Sequence, residues 1–342
     1  MSELDTVGMF KATAGLPEQI KDAVRRTEAV EGLPPPGGIS NILVVGMGGS
    51  GIVGDFLTVS AGPFISLPIV VVKNYEPPSY VSDKTLVLAV SFSGNTEETV
   101  QAVSTAASLG GRVVAITTGG QLADLASLWN IPVVEVDPEI PMPRAGLGAM
   151  AIPALVILER IGCFPGAKDW IADAVVTLEA RRDELMAPGN EAEELARQIG
   201  RTFPVIYGGG GLGGTAALRM KTQVNENAKA PAFHAAVPEM CHNEIVGWGQ
   251  HGDITRQVLS VLFLRHDYEH PQVIRVIDVL KEMLEEVTAG IHEIHARGES
   301  SIAQLLDLIL FGDFVSLYMA TQEGIDPGPV PVITELKARL KG

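Results

Sequence analysis

The sequence predicts an α/β protein with two doubly wound parallel sheets in tandem, each an αβα sandwich with helices on both faces. The first observation is a strand, glycine loop and helix over Asn41–Leu57, where the β-branched run Ile42–Val45 precedes a glycine cluster. The second is the alternation of short apolar runs with helical segments after it, which is typical of parallel sheets. The third is the return of the same unit at Phe203, again with a glycine cluster and an alanine-rich helix.

The first half of the chain is predicted to hold a leader and one complete domain. Residues 1–38 are expected to form a helical leader, with an amphipathic helix from Leu16 to about Val30, and a linker that contains the run Pro34–Gly38. Residues 39–165 are expected to form the first domain, with helices that end near Leu109, Leu128 and Ile161. Its strands are expected at Ile42–Val45, Pro68–Val72, Thr85–Val90, Arg112–Ile116 and Ile131–Val136.

The second half is predicted to be a connector and a related domain. Residues 166–198 are expected to be a helical connector, and residues 199–342 a second domain with a C-terminal helix. The polar segment around His292 and His295 is assigned to a helix. The other expected elements are the helices Trp170–Leu185, Glu191–Ile199, Thr215–Ala228, Pro271–Leu284 and Val332–Leu340 and the strands Phe203–Tyr207 and Gln257–Leu264.

Composition excludes several classes of protein. The formal net charge of −16, from 25 Lys and Arg against 41 Asp and Glu, argues against a nucleic-acid partner. The N-terminus lacks a basic segment followed by an apolar one, and no apolar run is expected to reach the length of a bilayer span. Only Cys163 and Cys241 are present, so no disulfide framework is expected, and a reducing cytoplasm fits.

The glycine loop itself predicts an anion site. Its glycines allow close approach of a ligand, and the N–H groups at the start of the following helix favour a negative charge. The segment Gly46–Gly51 also fits the G-x-G-x-x-G dinucleotide fingerprint, which keeps a nicotinamide-dependent dehydrogenase open. That fingerprint needs an acidic residue after the next strand, where Glu76 is available but Lys73 comes first.

A second candidate anion site follows the strand Thr85–Val90. Ser91, Ser93 and Thr96 place three hydroxyls between a strand end and a helix start. Asn95 with Glu98 has the spacing of an N-cap and its partner, so a capped helix is the alternative interpretation. Capping does not explain Ser91 and Ser93, whereas a phosphate needs several short donors, and a phosphate site is therefore favoured.

Five stretches in order carry a family resemblance: VVGMGGSGIVGDF, SFSGNTEET, PMPRAGLG, QVNENAKAPAFHAAVPEMCHNEIVGW and ITELKARL. Together they resemble the bifunctional phosphoglucose/phosphomannose isomerases, which are proteins with two sugar-isomerase (SIS) domains. The resemblance runs from Met9 to the C-terminus. It implies an aldose–ketose isomerase that interconverts glucose 6-phosphate or mannose 6-phosphate with fructose 6-phosphate, without a metal or another cofactor.

The resemblance also assigns roles to individual residues. Glu226 matches the base that moves a proton between the carbonyl carbon and the carbon next to it. On spacing alone, Glu226 would be interpreted as a surface carboxylate beside Lys229. His242 and Lys337 match residues that open the sugar ring, and His242 comes from the neighbouring subunit, which implies a homodimer. Arg144 is expected to stabilise the enediolate. The phosphate is expected on Ser91, Ser93 and Thr96, and the sugar is expected to be lined by Gly48, Gly49 and Ser50.

Two alternatives stay open beside the isomerase and the dehydrogenase. One is a non-catalytic sugar-phosphate sensor, and the other is an isomerase of a different phosphosugar. His266 and His270 have i,i+4 spacing, but Pro271 indicates a loop and the H-E-x-x-H order is absent, and His292 and His295 are assigned to a polar helix, so no metal site is assigned to either pair. Asp326–Val330 precede the Lys337 helix and are expected to shape the choice between sugar epimers.

Overall fold

The structure of the chain is a computed structural model that describes residues 4–35 and 37–340. Pro36 of the predicted linker, residues 1–3 of the predicted leader and residues 341–342 of the predicted second domain lie outside the described residues. The chain divides into two compact units. The first unit comprises Gly15–Ala180 and Arg297–Asp307, and the second unit comprises the residues up to Ala14, Arg181–Ala296 and the residues from Leu308 onward.

The first unit contains a five-stranded parallel sheet with the strand order β2-β1-β3-β4-β5. The long apolar runs at the centre of the sheet explain the order, because β1 and β3 are almost completely buried and take the inner positions. The chain order reverses between β1 and β3, and ligands of such sheets bind at that point. The strands are β1 (Asn41–Val45), β2 (Ile69–Val72), β3 (Thr85–Val90), β4 (Arg112–Thr117) and β5 (Val133–Glu135).

Helices cover this sheet as the alternating pattern predicts. On one face, Leu43, Val87 and Ala89 of the sheet pack with Val103 and Leu122 of two helices in a buried cluster. The helices up to the end of the first half are α1 (Met9–Ala14), α2 (Leu16–Glu28), α3 (Gly48–Ser60), α4 (Glu97–Ser108), α5 (Gly120–Trp129), α6 (Leu147–Arg160) and α7 (Ala167–Leu185).

The second unit contains a four-stranded parallel sheet with the order β7-β6-β8-β9. Its strands are β6 (Phe203–Gly209), β7 (Phe233–Val237), β8 (Leu259–Arg265) and β9 (Gly290–His295). The two parallel sheets confirm the predicted fold class. Strand β7 is absent from the sequence prediction, since its sequence FHAAV is short and the polar His234 interrupts the apolar run on which strand assignment depends.

The assignment of His292 and His295 to a helix is wrong. Both residues lie in β9, which pairs with β8 from Gly290 to His295. Because β9 is the last strand of its sheet, only one edge is covered and polar side chains are tolerated along it. The segment is therefore rich in polar residues. In the part of the chain that the structure describes, Ile294 is the only residue of β9 that is deeply buried.

The helices of the second half are α8 (Glu191–Ile199), α9 (Gly210–Gln223), α10 (Gly252–Val258), α11 (Pro271–Leu284), α12 (Ser301–Gln322) and α13 (Pro331–Leu340). Helix α9 begins before the predicted Thr215, at Gly210, and continues into a π-helical turn, Val224–Ala228. Strand β8 begins after the predicted Gln257, which belongs to α10. Both differences are at element ends, where the glycine-rich and polar residues give weak signals.

Helix α12 corrects the expectation that no apolar run reaches the length of a bilayer span. It has 22 residues and a mean hydropathy of 1.6 in its most apolar window, which is enough by length and composition to cross a membrane. However, 94% of that window is buried inside the protein, as in the core helix of a globular domain.

Candidate active site

The glycine loop after β1 allows another backbone segment or a ligand to approach it closely. The backbone turn Pro143–Ala145 lies against it, since a Cβ added at Gly49 would be 3.2 Å from the backbone nitrogen of Arg144. Gly48 is exposed and has a φ of +53°, and a Cβ added there would meet nothing within 4 Å. The N-cap residue Met47 provides no side-chain cap for α3, so the positive end of the helix faces outward at these two glycines.

The segment Ser91–Thr96, called here the hydroxyl loop, follows β3. Ser91 is fully buried, and its Oγ donates a hydrogen bond to Oγ1 of the half-buried Thr96 at 3.2 Å. Ser93 is exposed, and its Oγ accepts from the backbone N–H of Asn95. The structure therefore joins Ser91 to Thr96 directly and places Ser93 on the same loop.

The capping alternative for Asn95 is wrong. Helix α4 begins at Glu97 with Thr96 as its N-cap residue, and no side chain caps its first turn. The Asn95 side chain instead accepts from the backbone N–H of Gln121 at 3.0 Å and donates to the carbonyl oxygen of Ser93 at 3.0 Å. A second helix N-terminus is thus left without a cap beside the hydroxyl loop, which is suitable for an anion.

Neighbouring segments hold the hydroxyl loop in one conformation. Gly94 has a φ of +66°, and a Cβ there would lie 1.7 Å from the carbonyl oxygen of Gly119. The carbonyl oxygen of Phe92 accepts from both the backbone N–H and the hydroxyl of Thr118, and the backbone N–H of Phe92 donates to Ser50 Oγ at 3.1 Å. Ser50 therefore connects the glycine loop to the hydroxyl loop, and both are fixed before any ligand arrives.

Arg144 belongs to the same constellation of the first unit. It is buried in the turn Pro143–Ala145, and a Cβ added at the next residue, Gly146, would lie 3.4 Å from the ring of Phe92. The carbonyl oxygen of Ala145 accepts from the side chain of Gln19 at 2.8 Å. The glycine loop, the hydroxyl loop and the Arg144 turn are thus adjacent at the carboxyl ends of β1 and β3.

Lys73 weakens the dehydrogenase alternative. It follows β2, at the position where a dinucleotide-binding protein needs a carboxylate, and its ammonium group forms an ion pair with Asp55. The residue directly after β2 is therefore a paired lysine, not a carboxylate that could hold a ribose.

Glu226 lies half-buried in the π-helical turn Val224–Ala228 of the second unit. Its neighbours hold the turn: Asn225 Nδ2 donates to the carbonyl oxygen of Ala230 at 2.9 Å, and Asn227 Nδ2 donates to Ser316 Oγ at 2.9 Å. Lys229 closes the turn in a left-handed conformation, and its ammonium donates to the carbonyl oxygen of Glu226. Such π-helical insertions are frequent at functional sites.

Lys229 also connects this turn to the segment before Lys337. Its ammonium donates to the carbonyl oxygen of Pro327 at 3.2 Å, and Pro327 precedes helix α13, on which Lys337 lies. The carboxylate of Asp326 accepts from the hydroxyl of Thr6 and the backbone N–H of Gly328. The Glu226 turn and the Asp326–Val330 segment are therefore in direct contact, whereas Lys337 itself lies on an exposed helix.

His242 lies on a separate, exposed turn, Glu239–His242. The buried side chains of Met240 and Trp248 anchor the segment on either side. Trp248 Nε1 donates to the hydroxyl of Tyr207 at 3.0 Å, and that hydroxyl donates to the carboxylate of Glu244. Burial, followed by the hydrogen bond to Glu244, raises the pKa of Tyr207 far above its usual range, so the phenol stays protonated and keeps this bond.

The sequence analysis assigns no supporting role to Lys229, Asn227 or Tyr207. Tyr207 could have been noticed as a phenol at the end of an apolar strand, because a buried hydroxyl needs a partner. Nothing in the sequence indicates a left-handed conformation for Lys229. Within residues 4–35 and 37–340, no group of three or more His, Cys, Asp or Glu side chains is placed to hold a metal ion.

Comparison with known proteins follows the same division of the chain. Residues 39–140 match the model of the SIS domain, and residues 189–340 match that of the bacterial phospho-glucose isomerase C-terminal SIS domain. A bifunctional phosphoglucose/phosphomannose isomerase from Caldicellulosiruptor bescii is 35% identical over 97% of this chain and 98% of its own length. A bifunctional phosphoglucose/phosphomannose isomerase from Aquifex aeolicus is 35% identical over 88% of this chain and 90% of its own length.

A solved structure shows the same fold at low sequence identity. The C-terminal domain of glucosamine-fructose-6-phosphate aminotransferase from Francisella tularensis superimposes with a TM-score of 0.72 and 14% identity, over 94% of this chain and 97% of that one. The fold is thus shared with a protein whose sequence has diverged widely.

Proposed function

Because the chain belongs to the bifunctional phosphoglucose/phosphomannose isomerase family, we propose that it interconverts glucose 6-phosphate and mannose 6-phosphate with fructose 6-phosphate. The observation that carries the proposal is the pair of helix N-termini without a side-chain cap, at Gly48 and Thr96, together with the hydrogen-bonded hydroxyls of Ser91 and Thr96. Fixed N–H groups and hydroxyls of this kind bind a phosphate without any rearrangement.

Thr96 is the residue we assign to direct phosphate contact, together with Ser93. Ser91 is fully buried and donates to Thr96, so its proposed role is to orient the Thr96 hydroxyl toward the ligand. Gly48 and Gly49 would line the sugar, and Ser50 would keep the glycine loop in register through Phe92. The buried guanidinium of Arg144 would stabilise the negative charge of an enediolate.

Proton transfer is assigned to Glu226. After His242 and Lys337 have assisted ring opening, the carboxylate takes the proton from C2 of the aldose, and the electron pair of that C–H bond forms a cis-enediolate. Return of the proton to C1, together with transfer of the O2 proton to O1, makes C2 the carbonyl carbon and gives the ketose. Since glucose and mannose 6-phosphates differ only at C2, both pass through the same intermediate. We assign to residues Asp326–Val330 an influence on which epimer forms.

The working form is proposed to be a cytoplasmic homodimer without metal or cofactor, with His242 acting in the partner's site. Exposure of His242 and of Val332, Leu336 and Leu340 on α13 is compatible with such a contact.

The first experiment uses chelator-treated protein and fructose 6-phosphate, with enzyme-coupled detection of glucose 6-phosphate, and then repeats the assay from mannose 6-phosphate. Turnover of both sugars without added metal is expected. Saturable binding with no turnover would contradict the enzyme and favour a sensor, and turnover that needs added metal would contradict the enediolate mechanism as assigned.

Thr96→Val is expected to raise KM for fructose 6-phosphate by about 10- to 100-fold, with a much smaller effect on kcat. A hydrogen bond to a charged group contributes about 1.5–3 kcal/mol, and valine keeps the shape but not the hydroxyl. The variant also leaves the Ser91 hydroxyl buried without its acceptor, so it should melt at a lower temperature.

The double variant Ser91→Ala/Thr96→Val separates these two effects. Because both hydrogen-bonding partners are removed, stability should recover while KM stays high. Steady-state kinetics and thermal unfolding measure both quantities. A KM near that of the original protein in either variant would remove Thr96 from the phosphate site.

A further inference from the structure

The second unit contains a counterpart of the phosphate-binding edge. Strands β6 and β8 are central and adjacent, as β1 and β3 are in the first unit, and a glycine-rich loop follows β6. The loop after β8, Arg265–His270, therefore occupies the topological position of the hydroxyl loop after β3. Its residues differ completely, because it has no hydroxyl except that of Tyr268.

Glu269 fills the space beside the second glycine loop. A Cβ added at Gly209, the N-cap residue of α9, would lie 2.8 Å from Glu269 Oε1. The carboxylate accepts from Arg265 Nε at 3.0 Å and Arg265 Nη2 at 2.9 Å, and its Oε1 accepts from the backbone N–H of His266 at 3.3 Å. The Glu269 side chain is 1% exposed. A negative charge thus already occupies the N-terminal end of α9.

The next helix is also closed to a ligand. Helix α11 has His270 as its N-cap residue, and the His270 side chain accepts from the backbone N–H of Gln272 at 3.1 Å. His266 Nε2 lies 2.8 Å from the carbonyl oxygen of Gly209 and so connects the loop to the end of β6. In the first unit the equivalent helix, α4, has no side-chain cap.

We propose that Glu269 is a built-in anion that occupies the second unit's counterpart of the phosphate site, so that each chain binds a single sugar phosphate. The comparison with the first unit rests on the proposed function, but the occupation of the second loop by Glu269 does not. A carboxylate with a bidentate arginine and a backbone N–H has the donor set that a phosphate would use.

The test is rescue of a variant by inorganic phosphate. Glu269→Ala removes the carboxylate and leaves Arg265 beside an open gap. It is expected to melt at a lower temperature than the original protein, and phosphate at constant ionic strength should raise its melting temperature by several degrees more than chloride does. Equal phosphate and chloride responses would overturn the proposal. If the variant folds only when phosphate is present, the proposal is supported, whereas failure in both media would overturn it.

Two variants serve as matched controls. Glu269→Gln removes the charge but still fills the gap, so phosphate should not restore its stability. Glu293→Ala removes the other carboxylate that pairs with Arg265, which lies on the edge strand β9, and should respond to phosphate no more than the original protein does. Phosphate-specific rescue of either control would overturn the proposal. None of these measurements involves turnover, so an absence of isomerase activity would count against the proposed function alone.

Discussion

Glu226→Gln is expected to lower kcat by about 10²–10⁴-fold, the range that a positioned general base contributes, in both reaction directions. Glutamine has nearly the same shape but cannot accept the proton from C2. The fold of the turn should persist, because Lys229 bonds the backbone oxygen of Glu226, and Asn225 and Asn227 hold the turn through their own side chains. Binding of fructose 6-phosphate, measured by calorimetry, should therefore change little.

The matched control is Glu282→Gln, which makes the same chemical change on the exposed face of α11. It should leave kcat unchanged. Exchange of the C1 and C2 hydrogens with deuterated water gives a second readout, since it follows the proton transfer itself. A Glu226→Gln protein that turns over or exchanges normally would show that another group is the base.

The first sheet was predictable from sequence because its central strands are continuous apolar runs. Thr85–Val90 has the same bounds in the prediction and in the structure, and its six residues are all buried, so apolar content alone identifies it. Strand β9 carries Glu293 and two histidines at a sheet edge, where pairing with β8 decides the conformation. Local sequence contains no information on that pairing, and the prediction failed there.

The candidate site shows a similar division. Short motifs identify Gly48, Ser91 and Thr96 because glycines and hydroxyls between a strand and a helix have few other uses. The structural roles of Lys229 and Glu269 were not predicted, because they depend on a contact with Pro327 in one case and with the Gly209 loop in the other. Each contact joins segments far apart in the chain, and a charged residue in a loop otherwise reads as solvated.

Asp313→Ala is expected to destabilise the protein by about 3–5 kcal/mol, the cost of leaving one member of a buried ion pair behind. Asp313 Oδ1 and Oδ2 accept from Arg219 Nε at 3.1 Å and Nη2 at 2.7 Å, and the two side chains are 9% and 2% exposed. The sequence does not predict this pair, since the two residues lie 94 positions apart on different helices.

Urea unfolding measures the loss, and the exposed pair Arg201–Glu323 provides the control. Those side chains are 84% and 40% exposed, so Glu323→Ala should cost no more than about 1 kcal/mol. Replacing both buried partners, as Arg219→Met/Asp313→Leu, should recover much of the loss, because no charge is then stranded. If Asp313→Ala were as mild as Glu323→Ala, water would have to reach Arg219 readily, and the Arg219–Asp313 contact would not act as a buried ion pair.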